Sequence, residues 1–338
     1  MRMCAWLLIA ALSGSSARAQ GGWQWHETTT PHFSVHHQSV WLPEGLTMGL
    51  EKINFRLHMD LGIFSNWSSS GRVAVYIYKN QQAYAGGRFH PPSWSNGVAI
   101  YDKKAVAIPA MHSRAQMLRV LAHENTHLIF VNYFRESHRD PPAWVNEGLA
   151  MLEEADSPER PQTSVWYQNM VEMNPQRWFP LEKFFAISPT TDLVNDPNLV
   201  TIFYVQAYSL THFLMRKHTK MQFKSFCDHL RAGDSVADSL RLAYQYETVG
   251  DFERAWRRWL ALPEHLRRVQ ELPLADRDQD TAVDQAGVAN DGSGGFSEHS
   301  AGFGSGFSVW KVREPNAFGR PLPMPTFAPQ APSTQPNP

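Results

Sequence analysis

Two histidines and a glutamate in the segment Leu121–Phe130, LAHENTHLIF, have the spacing of a zinc site. On an α-helix, residues four apart lie on one face, so the imidazoles of His123 and His127 can bind one metal ion together. Glu124 follows the first histidine, where its carboxylate can accept a proton from a water molecule on the metal. The pattern therefore predicts about one zinc ion per chain, with Glu124 as the general base.

A third ligand would distinguish a catalytic zinc site from a chance match, which is a real risk among 15 histidines. Catalytic zinc commonly has three protein ligands and one open position. The extended metzincin pattern needs a glycine at position 130 and a histidine at position 133, but this chain has Phe130 and Tyr133. His138 and Asp140 are alternatives in a predicted loop. Glu147 is the better candidate, because a second antiparallel helix would bring it across to the histidines.

Helices are predicted to carry these residues. Ser113 is the expected N-cap of the helix that contains the histidines, and a second helix is predicted over Ala143–Glu154 after two prolines. The apolar positions of the first helix recur at helical spacing and form its expected buried stripe: Met117, Leu118, Leu121 and Leu128. Further helices are predicted over Leu199–His218, Met221–Ala232 and Asp251–Leu260.

The part of the chain before Ser113 is rich in predicted strands. Thr30–Val40 and Arg72–Asn80 have strand patterns, and Gly97–Pro109 has two apolar runs around a polar turn, which indicates a hairpin. A helix between the first two strands has one apolar stripe: Leu46, Leu50, Ile53 and Leu57. The predicted fold class is therefore α+β, with a small strand-rich N-terminal part and a mostly helical C-terminal part.

Both ends of the chain differ in composition from its middle. Residues 1–19 are predicted to be a signal peptide, because Arg2 precedes the short apolar run Cys4–Leu12 and a small-x-small cleavage site. We therefore expect an exported protein, periplasmic or secreted, without a transmembrane segment after cleavage. The folded domain is predicted over residues 20–276. Residues 277–338 are Gly/Ser- and Pro-rich and are predicted to form a disordered tail.

Charge and composition exclude some classes of partner. Lys and Arg total 31 and Asp and Glu total 32, so the net charge of −1 gives no electrostatic attraction to nucleic acid. A hydrophobic content of 43% is typical of a folded chain.

Beyond this reasoning, HENTH followed by WVNEGLAMLEE resembles the gluzincin metallopeptidases, whose third zinc ligand is a glutamate on the helix after the H-E-x-x-H helix. More narrowly, the chain resembles the bacterial exported peptidase MA-like family over Thr30–Leu260. The motifs are LAHENTH, PPAWVNEGLA, PLEKFF and YVQAYSLTHFL. The resemblance implies a gluzincin-type pair of active-site helices, with His123, His127 and Glu147 as zinc ligands and Glu124 as the general base.

The resemblance also implies roles for residues outside the two motifs. Glu154 matches an acidic position that supports a metal ligand from outside the coordination sphere. Tyr204 matches the tyrosine that stabilises the oxyanion, with Tyr208 and His212 as rivals on the same helix. Gluzincins hold the substrate backbone along an edge strand, which the predicted hairpin resembles. The residues expected to line the cleft are Val106, Ala107 and Ile108.

These observations predict an exported zinc-dependent peptidase that acts on peptides or proteins. The alternative is a catalytically inactive, metal-stabilised envelope binding protein that uses its tail for partner contacts. Glu124 favours catalysis, because a purely structural zinc site does not need it. The sequence leaves open the substrate, the oligomeric state, and the choice between endopeptidase and aminopeptidase.

Overall fold

The computed structural model describes residues 24–64, 71–91, 95–155, 163–189, 191–193, 196–217 and 219–262. The predicted signal peptide, residues 1–19, and the predicted tail, residues 277–338, lie outside these ranges and stay predictions. Within the described ranges the chain is α+β, with a sheet in the N-terminal part and helices in most of the remainder. This agrees with the predicted fold class.

The N-terminal part forms a five-stranded sheet in the order β1-β2-β3-β5-β4. Strands β2, β3 and β5 are parallel, whereas β1 and β4 pair antiparallel at the two edges. The strands are β1 (His26–Thr29), β2 (Phe33–His37), β3 (Val73–Tyr78), β4 (Val98–Ile100) and β5 (Ala105–Pro109). The predicted hairpin is confirmed, because β4 and β5 flank a turn at Tyr101–Lys103 and Lys104.

The described helices begin and end as follows: α1 (Leu46–Leu61), α2 (Gln81–Ala85), α3 (Arg114–Arg135), α4 (Ala143–Glu153), α5 (Val165–Glu172), α6 (Leu181–Phe184), α7 (Pro197–His212), α8 (Lys220–Ala232), α9 (Val236–Tyr244) and α10 (Val249–Leu260). Helices α1 and α3 cover one face of the sheet, where Leu50 and Leu121 pack with Val75 and Val106. The other face meets α2 through Tyr84.

Helices α4 to α10 share a second core, in which large aromatic side chains such as Trp144, Phe203 and Trp256 are buried. The C-terminal halves of α1 and α3 also enter this core, so these two helices belong to both cores. That arrangement fixes α3 relative to the sheet on one side and to α4 and α7 on the other. None of the helices described is long and apolar enough to cross a membrane.

The main helix predictions are confirmed. Ser113 caps α3, because its side chain accepts a hydrogen bond from the backbone N–H of Gln116. The predicted helix over Leu199–His218 begins earlier, at Pro197, and changes from α to π geometry over Phe213–Lys217. Strand β1 and helices α2, α5, α6 and α9 were not predicted, and each is short.

The predicted substrate strand is wrong in one respect. Val106, Ala107 and Ile108 were expected to line the cleft from an edge strand, but they lie in β5, between β3 and β4. Their side chains are fully buried, and both sides of the β5 backbone are occupied by neighbouring strands. Within this hairpin the edge strand is β4, so among the described residues β4 and not β5 has a side available for pairing with another chain.

Candidate metal centre

Helices α3 and α4 bring three ligand-type side chains to one point. His123 and His127 lie one turn apart on α3, and their Nε2 atoms are 3.0 Å from each other. Glu147 on α4 places Oε2 3.7 Å from His123 Nε2 and Oε1 4.0 Å from His127 Nε2. One ligand atom from each residue lies within 4.8 Å of the others, and all three residues are buried. The structure thus confirms the prediction that these three side chains lie close together.

The Nδ1 atom of each imidazole, on the side of the ring away from the cluster, contacts a side-chain oxygen. His123 Nδ1 lies 2.7 Å from Glu154 Oε1, and His127 Nδ1 lies 3.1 Å from Asn146 Oδ1. Both oxygens accept hydrogen bonds, so both Nδ1 atoms carry the ring proton in the neutral tautomer. Each Nε2 atom is then left with a lone pair directed at the other. Glu154 therefore contacts His123 as the predicted supporting residue would. Asn146 makes the corresponding contact with His127.

These residues fit a divalent metal. The two Nε2 atoms are only 3.0 Å apart, so either a proton or a cation must lie between them; without metal that proton is on His123, whose pKa is raised, and a metal ion would take its place. Glu147 Oε2 is buried and has no hydrogen-bond partner among the described residues. A buried carboxylate without such a partner is costly, and a cation bound at this point would lower that cost. Two imidazole nitrogens and one carboxylate are a donor set that catalytic zinc uses.

The pKa values in the cluster reflect burial and close charges. Burial lowers the pKa of His123, but its hydrogen bond to Glu154 and the surrounding carboxylates raise it to about 9. Burial and the charge of His123 lower the pKa of His127 well below its ordinary value. Burial raises the pKa of Glu124 to about 7 and that of Glu147 to about 8. A bound cation would favour the ionised carboxylates and so reverse the effect of burial.

Glu124 lies between the cluster and the edge strand β4. Its side chain is buried, and it accepts a hydrogen bond from the backbone N–H of Ala99. Gly97 lies directly against it, because a Cβ atom added there would be 2.8 Å from Glu124 Oε1. The carboxylate is therefore held between α3 and the strand that offers the free edge.

Three residues were considered as the oxyanion donor, and Tyr204 has the clearest connection to the cluster. It is buried, and its pKa is raised well above the ordinary value by burial and by the charges of Glu147 and Glu124. Tyr208 and His212 are also buried, and their rings contact each other; the His212 ring also contacts Trp259. Contact with these aromatic rings places His212 within the packed core.

Sequence reasoning missed a second tyrosine near the carboxylates. Burial and the charges of Glu124 and Glu147 raise the pKa of Tyr101, which follows β4 directly. The guanidinium of Arg135 lies over its ring, 4.4 Å from the centroid. The alternative third ligands are elsewhere: Asp140 is largely exposed near Arg135, and the metal-type cluster found among the described residues does not include Asp140 or His138.

Helices α4 and α7 approach closely at Gly148, the residue after Glu147. A Cβ atom added to Gly148 would be 2.2 Å from Thr211 Oγ1 and 2.4 Å from the backbone oxygen of Ala207. Real Cβ atoms do not come so close, and a helix backbone cannot move at one residue alone. Gly148 therefore sets the distance between the helix of Glu147 and the helix of Tyr204.

We expect Gly148→Ala to lower the free energy of unfolding by about 1–3 kcal/mol, because the added methyl overpacks the contact. Urea unfolding followed by circular dichroism measures this change. Gly250→Ala is the matched control, since a Cβ atom on Gly250 in α10 would make only ordinary contacts, the nearest at 3.5 Å. That control should be neutral or slightly stabilising. Equal stability of Gly148→Ala and wild type would contradict the close approach.

A comparison with protein families gives a match over the part of the chain that contains the cluster. A family model described as the peptidase MA superfamily matches residues 54–262, more than half of the chain. The matched range includes α3, α4 and α7 in full and begins within α1. A search of curated proteins found no match.

Proposed function

The chain belongs to the peptidase MA superfamily, and we propose that it is a zinc-dependent peptidase of the gluzincin type. The observation that carries the proposal is the convergence of His123, His127 and Glu147 with Glu124 directly beside them. A structural zinc site usually has four protein ligands. Three ligand-type residues and an adjacent buried carboxylate instead match the composition of a hydrolytic site.

His123, His127 and Glu147 would hold the metal through Nε2, Nε2 and a carboxylate oxygen. When bound, zinc polarises a carbonyl oxygen and lowers the pKa of a water molecule. Glu154 and Asn146 hold the two imidazoles in the tautomer that presents Nε2 to the metal.

Glu124 is proposed to act as the general base. Burial raises its pKa and a bound cation would lower it again, so the carboxylate would be ionised near neutral pH and able to accept a proton. It would accept the proton of the attacking water and give it to the leaving amine. The hydrogen bond from Ala99 and the contact with Gly97 hold the carboxylate in place while it does so.

Tyr204 is proposed to donate a hydrogen bond to the oxyanion. Its hydroxyl is buried and has no hydrogen-bond partner among the residues described. Because its pKa is raised, the hydroxyl stays protonated at neutral pH and can only serve as a neutral donor. The extended substrate backbone is assigned to the free edge of β4, not to β5, because β4 lies next to Glu124.

The test combines metal content with hydrolysis. We expect mass spectrometry of the purified chain to give about one zinc per chain. We expect the same protein to cleave members of a random peptide library, to stop after chelation, and to resume when zinc is restored. A chain that binds zinc but cleaves none of the library would favour the metal-stabilised binding protein. A chain that binds no zinc would contradict the whole proposal.

A further inference from the structure

A tryptophan outside the metal cluster is joined to it through Glu154. The indole Nε1–H of Trp166, in α5, donates a hydrogen bond of 2.9 Å to Glu154 Oε2. The other oxygen of the same carboxylate lies 2.7 Å from His123 Nδ1. Each oxygen of Glu154 therefore has its own partner, and the chain Trp166–Glu154–His123 joins α5 to the metal-binding face of α3.

The hydrogen bond from Trp166 restricts the orientation of the Glu154 carboxylate. A carboxylate held at one oxygen only can rotate and present its second oxygen at a range of angles. A donor at Oε2 removes that freedom, so that Oε1 meets His123 Nδ1 in one orientation. The side chain of Glu154 is only 13% exposed, so little solvent is available to replace the indole N–H.

The indole N–H of Trp166 is unlike those of other core tryptophans. Trp144 and Trp256 are also buried, but their Nε1 atoms have no hydrogen-bond partner among the described residues. Packing alone therefore does not require a partner for a tryptophan in this core. The bond to Glu154 is a specific feature of Trp166, separable from the space that its ring fills.

We propose that Trp166 is a positioning residue for the metal site, which fixes Glu154 and through it the imidazole of His123. The inference rests on the proposed function, because it takes His123 as a metal ligand. It extends that function by one further side chain, which touches neither metal nor substrate. Residues that support ligands from outside typically change metal affinity by about 10–100-fold when mutated. Trp166 is one step further away, so an effect near the lower limit is expected.

The experiment compares Trp166→Phe with Trp256→Phe, since both variants keep an aromatic ring and lose one N–H. Zinc affinity is measured by competition with a chelator, and the Co2+-substituted proteins are compared by visible absorption. We expect Trp166→Phe to bind zinc about tenfold more weakly and to shift the Co2+ bands. Trp256→Phe should match wild type in both measurements. Equal thermal unfolding midpoints of the two metal-free variants would exclude a general loss of stability.

A double-mutant cycle shows whether Trp166 acts through Glu154. In a Glu154→Ala background, Trp166→Phe should cause no further loss of zinc affinity. An additive loss would overturn the inference, as would a Trp166→Phe variant with wild-type affinity and spectrum, while the proposed function would stand in both cases. Absence of metal binding by the wild-type chain would instead overturn the proposed function and this inference together.

Discussion

Glu124→Gln is expected to lower kcat/KM for peptide hydrolysis by about 10²–10⁴-fold, the usual contribution of a general base. Glutamine has nearly the same shape, and its oxygen can still accept the hydrogen bond from Ala99. It cannot take up a proton, so only the proton transfer is lost. Because Glu124 is not among the three clustered ligand residues, the variant should keep the wild-type zinc content.

The measurement is steady-state hydrolysis together with zinc content on the same preparation. Glu136→Gln is a suitable control, because it removes a half-exposed carboxylate, paired with Arg231, from the end of the same helix. The control should retain full activity. If Glu124→Gln hydrolysed peptides at the wild-type rate, Glu124 would not be the base. If it lost zinc, the residue would have a role in metal binding that the structure does not indicate.

The sequence was sufficient to predict the grouping of His123, His127 and Glu147 because the relevant signals are local. The spacing of His123 and His127 needs only one helix, and Ser113 marks where that helix begins. Glu147 required one further step, namely that a short connection makes the next helix antiparallel. The structure has that connection between Arg135 and Ala143.

The prediction that Val106, Ala107 and Ile108 lie on an edge strand was wrong because the position of a strand in its sheet depends on pairing over a longer distance. Strand β5 pairs in parallel with β3, which precedes it by more than 20 residues. One signal in the sequence could have indicated the answer. Ala105–Pro109 is a continuous apolar run, which is typical of a strand buried on both faces, and every one of its residues is buried.

Some residues that support the site had no sequence signal of their own. Trp166 reaches Glu154 because α5 packs against α7, which also packs against α4. Asn146 is a helical asparagine whose contact with the His127 imidazole is visible only in the structure. Gly148 could have suggested a close helix contact, but not its partner, Thr211 in α7. Such features follow from the packing of elements that are distant in the chain, and pattern analysis does not predict that packing.

Glu147→Gln is expected to change stability in opposite directions with and without zinc. Burial raises the pKa of Glu147 from 4.5 to about 8, so ionisation opposes folding as the pH rises through that interval. At pH 8 without metal, the variant lacks this cost and should be at least as stable as wild type. With zinc at a thousandfold excess over Kd, wild type should gain about 4.1 kcal/mol. The variant should gain far less, since it has lost one of three ligands.

Urea unfolding at pH 8, with zinc and with a chelator, separates the ligand role of Glu147 from its electrostatic cost. Glu153→Gln is the matched control, because Glu153 is another buried carboxylate of α4 but lies beside Arg56, at 3.8 Å, instead of the histidines. That variant can lose stability from a broken buried ion pair, yet its gain from zinc should equal that of wild type. A zinc-dependent gain in Glu147→Gln as large as in wild type would remove Glu147 from the ligand set. If Glu147 had a purely electrostatic role, Glu147→Gln would be more stable than wild type by the same amount with zinc as with chelator. A difference between the two conditions therefore identifies Glu147 as a ligand.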